Sequence, residues 1–88
     1  MKSIIQEERK CYLCGEIRNL HRHHCLYGTA NRRLAEKDGL WVWLCVGCHM
    51  DLHEKGIMDK EIKTAAREAW CERYGTIDDF LERYGKIY

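Results

Sequence analysis

Apolar positions along the chain fall into two regimes. Up to Leu52 they come in short, dense runs between turn residues, and beyond Asp59 they recur at helical spacing. In the first regime the mixed segment Arg18 to His24 ends before Tyr27-Gly28 and predicts a strand leading into a loop that runs to about Gly39. Leu40-Trp41-Val42-Trp43-Leu44 follows, and its length and β-propensity predict a second strand. Cys48 to Glu54 predicts a short helix closed by Gly56. In the second regime Asp59 is a candidate cap for a helix carrying Ile62, Ala65 or Ala66, Ala69 and Trp70 on one face, ended by Gly75 after Tyr74. Thr76 with Asp79 predicts the start of another, in which Ile77, Phe80, Leu81 and Tyr84 follow the i, i+3, i+4, i+7 rule before Gly85. Both stripes read as core, because helical apolar periodicity is the signature of a buried face. Residues 1–10 read as a short helix or a loose arm.

The chain has no proline, repeat or low-complexity stretch, so it reads as one unit: an arm over 1–10, a cysteine- and histidine-bearing domain over 11–56, and a helical extension of it over 57–88. A chain of 88 residues buries only roughly 60 to 65 per cent of the surface its unfolded form exposes. Such a core calls for a staple, either disulfides or zinc. The first ten residues hold only Ile4-Ile5 as consecutive strongly apolar positions and do not read as a signal peptide. A reducing cytoplasm is therefore expected, where paired CxxC motifs read as metal ligands. No run is long enough to cross a bilayer, so no membrane partner is expected.

Two metal patterns interlock. Cys11-x2-Cys14 and Cys45-x2-Cys48, separated by the thirty residues from Gly15 to Leu44, offer four thiolates for a closed tetrahedral structural zinc. His49 and His53 lie at i and i+4, so on a helix both imidazoles leave one face, and a third histidine could complete an open, reactive site. Cys25 and Cys71 belong to no pair and read as small buried hydrophobes. A net charge of +1 says little, but Arg18, Arg22, Arg32, Arg33 and Lys37 share their segment with one acid, Glu36. That segment is a candidate phosphate-binding surface or an ordinary solvated loop. Trp41 and Trp43 alternate with Val42 and could stack on bases, although a strand beside a zinc knuckle more often buries them.

The order Cys-x2-Cys, His23-His24, strand, Leu-Cys-x2-Cys-His-x3-His resembles the HNH endonuclease family over Cys11 to His53, about half the chain. Gly28, Asn31-Arg32 and Gly39-Leu40 add a likeness to small phage and prophage members. The resemblance implies an α+β fold in which a small ββα-metal unit, with a treble-clef-like four-cysteine zinc site, is packed by C-terminal helices. By the pattern of the DNase colicins it makes His23, His49 and His53 ligands of one catalytic divalent metal (Mg2+, Mn2+, Ni2+ or Zn2+) and His24 the general base. The place of the family's middle asparagine is held by Gly39-Leu40, with Asp38 beside it. The orienting part then falls to Asn31, which the resembling phage proteins carry, or to Asp38, either by bonding the His24 imidazole or by fixing the loop. Strict alternation sends His23 and His24 to opposite faces of a strand, whereas His21 shares a face with His23 and is a reserve ligand or base.

Phosphodiester hydrolysis needs water made nucleophilic, charge stabilised at phosphorus, and help for the departing oxygen. A neutral imidazole supplies the first. Arg22, Arg32 and Arg33 are candidate DNA phosphate contacts, since a guanidinium matches phosphate oxygens bidentately. The expected activity is metal-dependent cleavage of DNA; the alternative is a non-catalytic, zinc-stapled module that binds nucleic acid or protein. Recognition sequence and oligomeric state leave no mark in the sequence.

Overall fold

Residues 1–88 are all described by a computed structural model. In chain order the elements are β1 (Leu20–His24), α1 (Thr29–Asp38), β2 (Trp41–Cys45), α2 (Val46–Lys55), α3 (Asp59–Arg73) and α4 (Ile77–Tyr84), giving a small α+β fold. The radius of gyration, 12.5 Å, is close to the roughly 12 Å expected of a compact domain of this length.

The strands pair antiparallel, Leu20 opposite Cys45 and His24 opposite Trp41. Directly opposed residues share a face of the sheet. His21, His23, Val42 and Leu44 therefore lie on one face, and Arg22, His24, Trp41 and Trp43 on the other. Helix α2 follows β2 without a loop and packs on the first face, where Val42, Leu44 and Leu52 are buried. It ends at Gly56, whose φ of 69° is the left-handed geometry of a C-cap.

One element departs from expectation. The loop foreseen between Tyr27 and Gly39 is helix α1 for most of its length. Only Ala30, Leu34 and Ala35 are apolar within Thr29–Asp38, too thin a stripe to announce a buried face, and Gly28 precedes the helix without a side-chain cap. The residues Ala, Arg, Leu, Glu and Lys are nonetheless strong helix formers, and Gly39 at φ 81° is its C-cap.

The C-terminal helices close the core. Ile62, Ala66 and Trp70 of α3 and Phe80 and Tyr84 of α4 join Leu26, Leu40, Val42, Leu44 and Leu52 in one buried cluster. Ile77 and Leu81, expected in the same stripe, stay exposed, because α4 presents only its Phe80–Tyr84 side to α3. Thr76 and Asp79 form a reciprocal capping box at its start. Asp59 does not cap α3. Met58 holds that position at φ 64°, and the Asp59 carboxylate accepts from the Tyr27 hydroxyl and Lys63 Nζ instead.

Asp38, at the end of α1, is buried, and its carboxylate accepts from Trp70 Nε1, Arg83 Nε and Nη2, and the Tyr84 hydroxyl. A buried carboxylate is costly unless its lone pairs are met, and these are met by both C-terminal helices. This ties the extension to the sheet unit.

The first ten residues form an arm without a helix, docked on β2. Ile4 N donates to Gly39 O, Ser3 Oγ to Trp41 O, Trp43 N to Gln6 Oε1, and Trp41 Nε1 to Met1 O. The bonds to Trp41 O and Trp43 N satisfy strand groups that β1 leaves free, covering an edge that would otherwise be open to other chains. Gly39 permits the approach, for a Cβ there would stand 2.6 Å from Lys2 O.

Candidate functional site

The CxxC pairs meet at the end of the hairpin. Cys11 and Cys14 sit in the turn before β1, held by Cys11 N to Glu16 O and Gly15 N to Cys11 O, and Tyr12 N bonds Trp43 O of β2. Cys45 ends β2 and Cys48 lies in the first turn of α2. The four Sγ atoms all lie within 4.8 Å of one another, with those of Cys14 and Cys45 at 3.6 Å. Four thiolates around one zinc at about 2.3 Å stand about 3.8 Å apart in a tetrahedron, so this cluster can hold a structural zinc.

The electrostatics agree with that use. Burial works against ionisation of Cys11, but backbone N–H groups at Cys45, Cys14 and Leu13 favour the thiolate and bring its pKa down to about 6. Cys48 is pushed up by burial and by the three neighbouring thiols. The Cys11 thiolate forms readily while Cys14 and Cys48 resist ionising beside it, a conflict that a divalent cation resolves. All six cysteines are free thiols. Cys25 is apart from the cluster, and burial pushes its thiol up to about 12, in keeping with a small hydrophobe. Cys71 packs partly buried against the core.

The histidines gather on the α2 face of the sheet. Nitrogens of His23, His49 and His53 lie within 4.8 Å of one another, His49 Nε2 being 3.0 Å from His53 Nε2. One turn of α2 separates His49 from His53, and strand alternation turns His23 toward both. Burial first, then the neighbouring His49 and His53, lower the pKa of His23 to about 4. His49 is lowered too, by burial and then by His53 and His21. Neutral imidazole is the ligand form, so the shifts of His23 and His49 run in the direction that suits ligation, and with His53 they make a group that could hold a metal ion. His21 stands beside it, its Nδ1 3.1 Å from His49 Nδ1.

His24 leaves the strand on the opposite face, yet it borders the same cleft. That cleft, of about 490 Å³, is lined by His23, His24, His49 and His53 together with Arg22, Arg32, Tyr27 and Gly28. The alternation of the doublet is thus compatible with one shared space, because β1 ends at His24 and the chain turns away. His24 Nε2 lies 3.0 Å from Glu36 Oε1, and Arg22 Nη1 donates to both oxygens of the same carboxylate. Burial alone would raise the Glu36 pKa, but the bonds from His24 and Arg22 outweigh it and hold the carboxyl below its usual range. An ionised carboxylate only accepts, so His24 carries a proton on Nε2, and in the neutral ring Nδ1 is left as the acceptor.

Neither expected orienting residue reaches His24. Asn31 Nδ2 donates to Tyr84 O and to the Tyr88 hydroxyl, which pins the C-terminus, and Asp38 is consumed in its core network. Glu36 is the residue that sequence reasoning passed over. As the single acid among five cations it carried a signal, but only a helix brings it one turn after Arg32 and Arg33 and across from His24. Arg32 lines the cleft, and Arg33 lines a neighbouring hollow with Lys37, all three being free of ion pairs. Arg22 is engaged with Glu36 and lies 3.9 Å above the Trp41 ring.

Comparison with protein-family models, with curated proteins and with solved structures finds no match to this chain. No helix is long and apolar enough to cross a membrane.

Proposed function

We propose that the protein is a metal-dependent endonuclease of the HNH type that hydrolyses DNA phosphodiester bonds, its hairpin and α2 forming a ββα-metal unit stapled by zinc on Cys11, Cys14, Cys45 and Cys48. The observation that carries this reading is the convergence of three ligand nitrogens, from His23, His49 and His53, in a cleft also bordered by His24 and Arg32. A structural finger uses its four cysteines and has no need of a second, open ligand set.

Each residue has a part. His23, His49 and His53 hold a divalent metal, which when bound polarises the phosphate and stabilises the leaving oxygen. All three ligands are imidazoles, a set better suited to zinc or nickel than to magnesium or manganese, which prefer oxygen. His24 Nδ1 accepts a proton from the attacking water, and Glu36 holds the ring in that tautomer and stabilises the imidazolium that forms. Arg32 and Arg33 carry unpaired guanidinium groups for phosphate oxygens, whereas Arg22 acts through Glu36.

The reading is tested by incubating supercoiled plasmid with the zinc-loaded protein across a panel of divalent metals. Nicked circles are expected with one or more metals and are lost when the exchangeable metal is stripped, then regained on adding it back. A folded, zinc-containing protein that fails to nick with every metal of the panel contradicts the reading and favours a module that binds nucleic acid without cutting it.

A further inference from the structure

The sheet face that bears His24 also bears two indoles with cations laid over them. Across the ladder, Trp41 is opposite His24 and Trp43 is opposite Arg22. The rings meet edge to face at 5.2 Å. Arg22 lies 3.9 Å from the Trp41 centroid and Arg9 4.9 Å from that of Trp43. Both indoles line a recess of about 870 Å³ whose far wall is the N-terminal arm, with Lys2 and Arg9 free of ion pairs. Trp41 is only 5 % exposed, at the floor, while Trp43 is half-buried.

We infer that this recess takes one unpaired base of a DNA strand whose neighbouring phosphate lies in the histidine cleft, so that the substrate is single-stranded or locally opened DNA. The inference rests on the nuclease reading for the position of that phosphate. Three observations carry it. Arg22 lines both the recess and the cleft, and His24 and Arg32 line both the cleft and the hollow holding Arg33 and Lys37, so the three spaces are contiguous. Cations dominate both ends, Lys2 and Arg9 against Glu7 in the recess, and Arg32, Arg33 and Lys37 in the hollow, where Glu36 is already paired with Arg22. Such a track complements a phosphate backbone. The third is shape. A base within a duplex has both faces stacked on its neighbours, and only an unstacked base offers a face to an indole or guanidinium plane at the bottom of a recess.

The test is fluorescence anisotropy with a 5′-labelled 12-nucleotide single-stranded DNA of mixed sequence and the blunt duplex of the same sequence. The protein carries one equivalent of zinc, retained by its cysteines, and exchangeable metal is stripped from the histidine site beforehand, so nothing is cut. The single strand is expected to bind roughly tenfold tighter than the duplex, and Trp43→Leu to lose that preference through a roughly tenfold weaker single-strand affinity. Equal affinity for the two DNAs, or single-strand binding unchanged in a Trp43→Leu protein of normal circular dichroism and zinc content, overturns the inference. Should Trp43→Leu not fold, Arg9→Ser on the exposed arm replaces it, with a severalfold loss expected and unchanged binding overturning. Because cleavage is not read, a protein that never nicks can still show the preference, and an active nuclease without the preference refutes this inference alone.

Discussion

Glu36 Oε1 lies 3.0 Å from His24 Nε2, joining the last turn of α1 to the last residue of β1. The bond fixes which ring nitrogen is free, and Arg22 fixes the carboxylate in turn through both of its oxygens. Two side chains, Glu36 from α1 and Arg22 from β1, thereby set the orientation of one imidazole at the mouth of the cleft.

Glu36→Gln keeps the shape and removes the charge. An amide can present its N–H to the ring and favour the wrong tautomer, so nicking is expected to slow by roughly tenfold or more. Thermal melting should move little, since the cluster is partly exposed and such pairs contribute about 1 kcal/mol or less. Parallel rate and melting measurements separate the two effects.

Cys45→Ser removes the cysteine that joins β2 to α2. Structural zinc supplies roughly 10 to 16 kcal/mol in small zinc-finger peptides, far more than a core of this size holds in reserve. Loss of zinc and of the cooperative melt is expected. A variant that keeps both, by metal analysis and calorimetry, would show that the fold does not depend on the cluster.

Asp38→Ala leaves the Arg83 guanidinium, Trp70 Nε1 and the Tyr84 hydroxyl without their common acceptor. Arg83 is about one-third exposed and can turn to water, so the cost is set at about 3 kcal/mol, the low end for a broken buried pair. The melting temperature should fall by more than about 10 °C.

Gly39→Ala strains a left-handed position and drives a Cβ against Lys2 O and Ile4. The arm should lift from β2, and the Ile4 amide, bonded to Gly39 O, should lose protection in hydrogen exchange.

The hairpin, α2 and the last two helices were legible because strong local signals agreed: a dense β-branched and aromatic run, CxxC pairs, a capping box and glycines at helix ends. Helix α1 was not, since Thr29–Asp38 buries only Ala35 and Asp38 and lacks an N-cap side chain. That omission hid Glu36, whose meeting with His24 depends on α1 packing beside β1. Asn31 and Asp38 enter as candidates through the family resemblance, and neither bonds His24 because their partners Tyr84, Tyr88, Trp70 and Arg83 all come from the last third of the chain. Long-range polar partners leave no periodicity to read. The four cysteines and the His49–His53 pair were legible from spacing, because metal-ligand spacing is local within each pair even where the pairs lie far apart, whereas His23 is singled out as their companion only through the family resemblance.

The most direct measurement is the nicking rate of supercoiled plasmid by wild-type protein and by His24→Ala, each zinc-loaded and supplied with the same exchangeable metal. His24→Ala is expected to fold, to bind both metals, and to nick roughly 100- to 10,000-fold more slowly. Nicking at the wild-type rate by a folded His24→Ala protein would contradict the account, for the imidazole that Glu36 and Arg22 hold at the cleft would then do no chemistry.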